Sequence, residues 1–369
     1  MSASSKGTIR SAERSRRRPP RAAAGSGAGA SGGPRRGLLV ALLSAACVLG
    51  ALGYAAVAAL RTSQLSPAAD PPAAPDVLAS IVARPHLVFL HAPTGDTYRR
   101  VAVAPLDALD GPRYLTPLQC QRVYVAAGQG LCLGNNYLGG IISSYSAYSF
   151  DERFQVGKTY DQAGLPSRVR LSPDGRLGAM TVFVAGHSYA DAGFSTQTTL
   201  VDTGAGVPIA DLEQFSVVRD GEPFRAADFN FWGVTFARDG NRFYATLGTG
   251  GKTYLVEGDV AERQARVLRE NVECPSLSPD NTHLAFKKRV NANPRDWRLT
   301  VLDPRSMQES TVGEARSVDD QAEWLDDEHL LYTVQDEGTI ATSIWEATLG
   351  GAEAPRMLLP QAMSPAVVR

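Results

Sequence analysis

Residues that commonly build metal and catalytic sites are scarce in this sequence. Its 369 residues include four cysteines and five histidines, and no Cys-x-x-Cys pair supplies zinc ligands at the usual spacing. No Gly-x-Ser-x-Gly elbow is present for an acyl-transfer serine. An acidic cluster from Asp319 to Glu328 lacks the spacing of a calcium loop, and we interpret it as a solvated surface. We therefore assign no catalytic, cofactor-binding or metal-binding residue and expect no cofactor.

A net charge is also almost missing, because 37 basic and 38 acidic residues nearly cancel. The two signs are unevenly distributed along the chain. Residues 1–36 hold nine Lys and Arg residues against one acidic residue, Glu13, which leaves 28 basic and 37 acidic residues for the remainder. This acidic surplus disfavours nucleic acid as a partner. The basic head is otherwise rich in Ala, Gly and Ser, a composition that predicts a disordered segment.

Residues 37–60 form one unbroken run without a charge. At about 1.5 Å per residue, a helix of this length extends roughly 36 Å and can cross the apolar core of a bilayer, about 30 Å thick. The basic head predicts that the N-terminus stays in the cytoplasm as a membrane anchor and that the bulk of the chain lies outside it. The alternative is a secretory signal cleaved near Ala56-Val57-Ala58, which would place the same bulk outside the cytoplasm.

The next segment, residues 61–85, is rich in proline and alanine. Proline removes a backbone donor and restricts φ, so this composition predicts a semi-extended stalk. A helical pattern returns briefly from Val77 to Val82. The remainder, residues 86–369, is long enough for one large all-β domain or two smaller domains.

A short pattern recurs four times in this remainder and has the composition of a hairpin turn. A large apolar residue stands three positions before an aspartate, which is followed by Gly, Asn or, in the last copy, a second acidic residue. Aspartate accepts hydrogen bonds from nearby backbone amides, and Gly or Asn adopts the positive φ that closes such a turn. The predicted turn residues are Asp174 and Gly175, Asp239 and Gly240, Asp280 and Asn281, and Asp327.

Strand-like segments flank each predicted turn. In Arg168-Val169-Arg170-Leu171, for example, the alternation places Val169 and Leu171 on one face of a strand. A third strand pattern follows each hairpin, and such a unit repeated about every 40 to 50 residues is typical of a β-propeller blade. Two weaker units between His86 and Leu165 bring the number to six. We therefore predict an all-β, six-bladed β-propeller over residues 86–369.

Two copies of the turn, Ser172-Pro173-Asp174-Gly175 and Ser278-Pro279-Asp280-Asn281, resemble the repeat of TolB-like β-propellers. The resemblance covers residues 166–332, and its motif builds the blade rather than a site. It implies an exported propeller that binds other envelope proteins across one face. We accordingly expect a membrane-tethered, non-catalytic scaffold whose partners are envelope proteins, peptides or cell-wall glycans. Some TolB-like propellers are metal-dependent lyases with histidine-lined channels, so the alternative is an extracytoplasmic metal-dependent lyase or hydrolase with a site in the channel.

The cysteines add one structural prediction. Cys120 and Cys132 flank a strand pattern and a glycine-containing turn, and disulfides persist outside the cytoplasm. We propose a Cys120–Cys132 bridge across this hairpin, with two unpaired buried thiols as the alternative. Cys47 lies in the apolar run, and Cys274 is expected to be buried at the start of a blade.

Overall fold

The structure is a computed structural model that describes residues 38, 40–53, 73–138, 141–184, 195–293, 296–351 and 353–369. The chain divides into two compact units, Met1–Ser63 and Gln64–Arg369.

In the first unit, residues 40–53 form a helix, α1, with exposed leucine and valine side chains. No helix among the described residues combines the length and the apolarity that a membrane crossing requires. The predicted basic head lies outside the described residues, as do residues 37, 39 and 54–60 of the predicted membrane span and residues 61–72 of the predicted stalk. The membrane span therefore stays a prediction.

The second unit begins, within the described residues, with a short helix, α2 (Pro75–Val82). Proline at the first helical position fits because its missing N–H would have no partner in the first turn. Leu78 and Ile81 stand three positions apart on one face and are buried. They pack into the core that the first two blades share. This part of the predicted stalk therefore belongs to the folded unit, because its apolar face has a partner there.

The rest of the described part of this unit consists of β-strands, three short 3-10 helices and the loops that connect them. Blade I contains β1 (His86–His91), β2 (Arg100–Pro105) and β3 (Tyr114–Gln119); blade II contains β4 (Arg122–Ala126), β5 (Gln129–Leu138), β6 (Ile141–Asp151) and β7 (Val156–Gln162). Blade III contains β8 (Leu165–Leu171), β9 (Leu177–Val184), β10 (Ser195–Asp202) and β11 (Val207–Asp211). Blade IV contains β12 (Ser216–Arg219), β13 (Glu222–Phe224), β14 (Asn230–Phe236), β15 (Arg242–Thr249), β16 (Lys252–Asp259) and β17 (Gln264–Glu270). Blade V contains β18 (Glu273–Leu277), β19 (Leu284–Arg289), β20 (Trp297–Leu302) and β21 (Glu309–Thr311). Blade VI contains β22 (Glu323–Trp324), β23 (His329–Gln335), β24 (Thr342–Thr348) and β25 (Arg356–Leu359), and the last strand is β26 (Ala362–Val368). The 3-10 helices are Leu106–Ala108, Leu212–Gln214 and Leu349–Gly351.

These strands form six sheets within the described part of the chain, so the predicted six-bladed β-propeller is confirmed. Five sheets are each built from strands that follow one another in the chain. In blade IV the first two strands, β12 and β13, lie at the outer edge, where β12 pairs in parallel with β17. The sixth sheet joins the two ends of the propeller, because β26 pairs with β1 as the innermost strand of blade I. The registered pairs His86–Val368 and His91–Ala362 mark the two ends of this closure.

The hydrophobic core lies between neighbouring blades rather than within any one of them. Each of six clusters of buried side chains takes its residues from two adjacent blades. Phe89 lies between blades VI and I, Phe231 between blades III and IV, and Phe286 between blades IV and V. Removing a side chain of this size from water stabilises a fold by about 1.5–3 kcal/mol. The ring must therefore close for every blade to bury both of its faces.

The recurring turns connect the innermost strand of a blade to its second strand. Asp174 accepts the N–H of Arg176, and Asp280 accepts the N–H of Thr282, through Oδ1. Asp239 accepts two amides in the same way. The following residue has a positive φ in these three turns, 71° at Gly175, 70° at Gly240 and 63° at Asn281.

The fourth turn departs from the sequence pattern. The backbone hydrogen bond that closes it runs from the N–H of Leu325 to the carbonyl of His329, four residues further along the chain. The corresponding bonds of the other three turns span five residues. Asp326, not the predicted Asp327, accepts the amides of Glu328 and His329, both at 2.8 Å. Asp327 instead accepts the N–H of Asp280 at 3.0 Å and thus links the turns of blades V and VI.

We call the face that carries these four turns the turn face. The opposite face, where the innermost strands begin, is called the far face. The innermost strands that run from the far face to the turn face are β26, β4, β8, β14, β18 and β22.

Candidate functional site

Polar side chains of the innermost strands fill the central channel. In β8, Val169 and Leu171 pack into the core between blades II and III, so the alternating Arg168 and Arg170 lie on the opposite side of the strand. In β4, Val123 and Val125 belong to the core between blades I and II, and Tyr124 stands between them. The alternation that builds the blade core therefore also determines which residues reach the channel.

Arg170 of blade III and Glu323 of blade VI form an ion pair across this channel, with side chains that are 6% and 8% exposed. Arg170 also donates from Nη2 to the carbonyl of Ala322 at 2.9 Å and to Oγ of Ser276 at 3.3 Å. Its guanidinium lies 4.5 Å from the centre of the Tyr124 ring. Acceptors from blades V and VI thus compensate part of the cost of burying this guanidinium.

Glu323 is held from two further blades. Its Oε1 accepts the hydroxyl of Tyr124 at 3.2 Å and the backbone N–H of Val367 at 3.4 Å. Burial raises the pKa of Glu323, and the adjacent Arg170 opposes this rise. Burial, and then the charge of Glu323, raise the pKa of Tyr124, so its hydroxyl stays protonated and can donate.

Two more side chains of blade VI extend the same connection. Gln321 donates from Nε2 to the carbonyl of Val234 in blade IV at 3.0 Å and to that of Pro275 at 2.8 Å. Trp324 donates from Nε1 to the carbonyl of Ser276 in blade V at 2.9 Å. Together with the contacts of Arg170 and Glu323, these bonds join all six blades at the centre of the propeller.

A cavity of about 580 Å³ opens on the turn face, next to the buried pair of Arg170 and Glu323. The buried Arg170, Glu323 and Tyr124 lie at its base, and Phe236 and Leu277 line its wall. Its mouth is formed by turns of blades II to V and by the ends of α2 and β26. The turn residues are Ala127, Pro173, Arg238, Pro279 and Asn281, and the two ends contribute Val82 and Val368. The arrangement is a concave site with an apolar wall, a polar base and a rim of rigidly held loops.

Most of the residues predicted from the sequence lie outside this cavity. Of the predicted turn residues, Asn281 lines it. Cys120 and Cys132 form the predicted disulfide, with Cα atoms 5.5 Å apart, on the far-face side of blade II. Cys274 is a buried free thiol. Among the described residues, no three His, Cys, Asp or Glu side chains are arranged as a group that could hold a metal ion.

The interpretation of the acidic cluster as a solvated surface is wrong for Glu323, which is buried against Arg170. Sequence reasoning therefore missed the base of the cavity. The usable signal was the alternation in two innermost strands, Arg122-Val123-Tyr124-Val125 and Arg168-Val169-Arg170-Leu171. Their polar residues face away from the blade core, and in an innermost strand that direction is the channel.

No protein-family model matches this sequence, and no curated protein matches it. The architecture is nevertheless similar to that of solved propellers. TolB from Acinetobacter baumannii aligns with a TM-score of 0.51 and 14% identity over 78% of this chain and 68% of that chain. The chain has the TolB-like propeller fold.

Two further solved structures are similar to this TolB-like propeller. A putative TolB from Agrobacterium tumefaciens aligns with a TM-score of 0.46 and 12% identity, over 75% of this chain and 88% of that chain. A chain of the nidogen/laminin complex aligns with a TM-score of 0.50 and 11% identity, over 77% of this chain and 98% of that chain. At these identities the similarity concerns the fold.

Proposed function

We propose that this protein is a binding scaffold that holds a segment of a partner protein in the turn-face cavity. The observation that carries the proposal is the open cavity of about 580 Å³ whose buried charges, Arg170 and Glu323, are paired with each other. Its volume falls within the roughly 300–1,000 Å³ that is usual for binding pockets. Since the base is already neutralised, an extended peptide that makes hydrogen bonds and apolar contacts fits it better than a strongly charged ligand.

The rim supports the same proposal. Arg238 and Asn281 stand on turns that are anchored by their own aspartates, so binding orders few new groups and loses little conformational entropy. The TolB-like fold also supports a binding role, as does the similarity to a chain of a nidogen/laminin complex. The envelope proteins expected from the sequence are the class of partner that we propose.

Site-specific photocrosslinking in cells tests this proposal. A photoreactive residue at Arg238 or at Asn281 should capture the same partner protein, identified by mass spectrometry. The matched control is Glu222, which is exposed on β13 at the outer edge of blade IV. It should capture the partner weakly or not at all.

A blocking variant makes the test specific for the cavity. Pro279→Trp places a large ring at the mouth of the cavity and should abolish capture from Arg238 while leaving the unfolding midpoint nearly unchanged. Equal capture from Glu222, or capture that survives the blocking variant, would contradict the proposal.

We also propose that residues 37–60 tether the propeller to the outer side of a cytoplasmic membrane. The uncharged run and the basic head before it support this proposal. A reporter fused after Arg369 should be active only in an extracytoplasmic location and should fractionate with membranes. Activity of a cytosol-specific reporter at the same position would overturn the proposed orientation, and a reporter released into the medium would favour the cleaved signal.

A further inference from the structure

Three arginines form a row at the channel mouth on the far face, and we call Arg99, Arg122 and Arg168 the arginine row. Arg122 donates from Nε to the carbonyl of Ser167 at 2.7 Å, and Arg168 donates to the same carbonyl at 2.9 Å. On its other side, Arg122 shares the carbonyl of Gln121 with Arg99, at 3.0 and 2.9 Å. Two carbonyl oxygens therefore hold three guanidinium groups side by side.

Carboxylates neutralise this row incompletely. Among the described residues, neither Arg99 nor Arg122 forms an ion pair, and Arg168 has one distant partner, Asp319, at 3.7 Å. Asp319 is bound more closely by Lys287, at 2.6 Å. The nearby Asp320 accepts backbone amides, those of Gln321 and Thr333. One carboxylate, Asp319, thus faces both Lys287 and the row.

The electrostatic consequence is visible at the centre of the row. Burial lowers the pKa of Arg122 to about 10, the positive charges of Arg168 and Arg99 lower it as well, and Asp320 and Asp319 oppose this effect. The guanidinium of Arg168 lies beside the buried thiol of Cys274 and also interacts with Asp319 and Asp320. Three arginines at this mouth therefore face two nearby aspartates, Asp319 and Asp320, and positive charge is in surplus.

The backbone that carries the row is held rigidly by the disulfide hairpin. Cys120, bonded to Cys132, donates its N–H to the carbonyl of Arg99 at 3.0 Å. The next residue, Gln121, donates its N–H to the carbonyl of Leu133 at 2.6 Å. Arg99 and Arg122 are therefore positioned before any ligand arrives, which reduces the entropy lost on binding.

We propose that the arginine row is a second binding site, for the oxyanion of a carboxylate- or phosphate-bearing ligand. Guanidinium groups donate in a planar fork that matches both carboxylate and phosphate oxygens, and such charge-assisted bonds are stronger than neutral ones. The site lies at the boundary with solvent, since Arg99 and Arg122 are half-buried and the side chains of Arg168 and Asp319 are 14% and 64% exposed. It lies at the far-face mouth, whereas the proposed protein-binding cavity lies at the turn-face mouth, so the two functions can be tested separately.

Isothermal titration calorimetry of the full-length chain tests the proposal at constant ionic strength. Inorganic phosphate and acetate serve as separate probes. A site for phosphate-bearing ligands should bind phosphate more tightly, and a site for carboxylates should bind acetate at least as tightly. Either pattern supports the oxyanion site, and the absence of saturable binding of both probes overturns it.

Charge-removing variants locate the binding. Arg122→Gln and Arg168→Gln should each weaken binding about tenfold or more, since each removes one charged fork. The matched control is Arg225→Gln, which removes an exposed arginine next to the outer strand β13 and should leave the affinity unchanged. Equal weakening by the control would overturn the assignment to the arginine row.

A variant that should bind the probe more tightly distinguishes a direct effect on the site from a folding defect. Asp319→Asn removes the carboxylate that competes for Arg168, and it should tighten binding of the probe several-fold. Damage to the fold weakens binding and cannot produce this gain. Unchanged or weaker binding in Asp319→Asn, with an intact circular dichroism spectrum, would count against the proposal.

Discussion

Arg170 and Glu323 lie 153 residues apart in the chain, and their side chains form one buried ion pair across the centre of the propeller. The pair joins blades III and VI directly, and its remaining hydrogen bonds reach blades I, II and V. The same two residues form the base of the turn-face cavity. Stability of the ring and the shape of the proposed binding site therefore depend on one contact.

Removing one member of this pair should destabilise the protein strongly. Arg170→Met leaves the Glu323 carboxylate buried without its cation, and we expect a loss of about 3–5 kcal/mol in the free energy of unfolding. Urea unfolding measures this loss. The double variant Arg170→Met/Glu323→Met removes both charges and should recover a large part of it. As a control, Lys252→Ala breaks a more exposed pair with Glu270 and should cost less than about 1 kcal/mol. Equal losses in Arg170→Met and Lys252→Ala would contradict the expectation.

Two glycines in β5 provide a matched pair for the packing of blade II. A Cβ at Gly130 would overlap the ring of Phe150, whereas the nearest atom to a Cβ at Gly134 is 3.9 Å away. Gly130→Ala should therefore destabilise the protein by about 1–3 kcal/mol, and Gly134→Ala should stay within about 0.5 kcal/mol of the wild type. Thermal and urea unfolding of the two variants measure the difference. Similar midpoints would show that Phe150 can move aside.

Glu213 should make the stability of the propeller depend on pH. Its carboxylate accepts the backbone amides of Thr198 in blade III and Phe231 in blade IV, and burial raises its pKa to about 7. A folded pKa above the ordinary 4.5 means that the protonated form is favoured in the folded state. The contribution to stability is thus fully present below about pH 4.5 and is lost as the pH rises through about 7.

The variant Glu213→Gln isolates this effect, because glutamine can still accept the two amides but does not titrate. Relative to this variant, the wild type should lose up to about 3 kcal/mol in the free energy of unfolding between pH 4 and pH 8. Urea unfolding of both proteins across this range measures the difference. A difference that does not change with pH would argue against a raised pKa.

The Cys120–Cys132 disulfide should contribute to stability and report the compartment of the propeller. Its 12-residue separation corresponds to about 3 kcal/mol from loop closure. The double variant Cys120→Ser/Cys132→Ser should lose about this amount in the free energy of unfolding, measured in urea.

The same disulfide should report the compartment of the propeller. In protein denatured directly from cells, an alkylating reagent should modify Cys47 and Cys274 before reduction and all four cysteines after it. Reaction of all four without reduction would place the propeller in a reducing compartment.

Local chemistry explains which parts of the fold were predictable. An aspartate followed by Gly175, Gly240 or Asn281 closes a hairpin through bonds made within a few residues, so these turns and the six blades were correctly predicted. The choice between Asp326 and Asp327 was not predictable in this way. Both are adjacent carboxylates, and the contact of Asp327 with the turn of blade V decides between them.

Contacts between distant segments explain what was missed. Arg168 and Arg170 were visible as the polar half of an alternating strand, but their partners lie in blades V and VI. Glu323 resembled its acidic neighbours in sequence, and only the approach of Arg170 accounts for its burial. Similarly, Leu78 and Ile81 of α2 follow a proline-rich segment, and their burial depends on the core shared by blades I and II.

The sequence by itself determined the repeated hairpins, their number and the uncharged run, because turn closure and strand alternation depend on neighbours along the chain. Only the tertiary structure decided that β26 completes blade I, that Arg170 meets Glu323, and that three arginines share two carbonyls at one mouth of the channel. The physical reason is that strand alternation determines on which side of a sheet a side chain lies. What faces that side chain across the channel depends on how the six blades close into a ring.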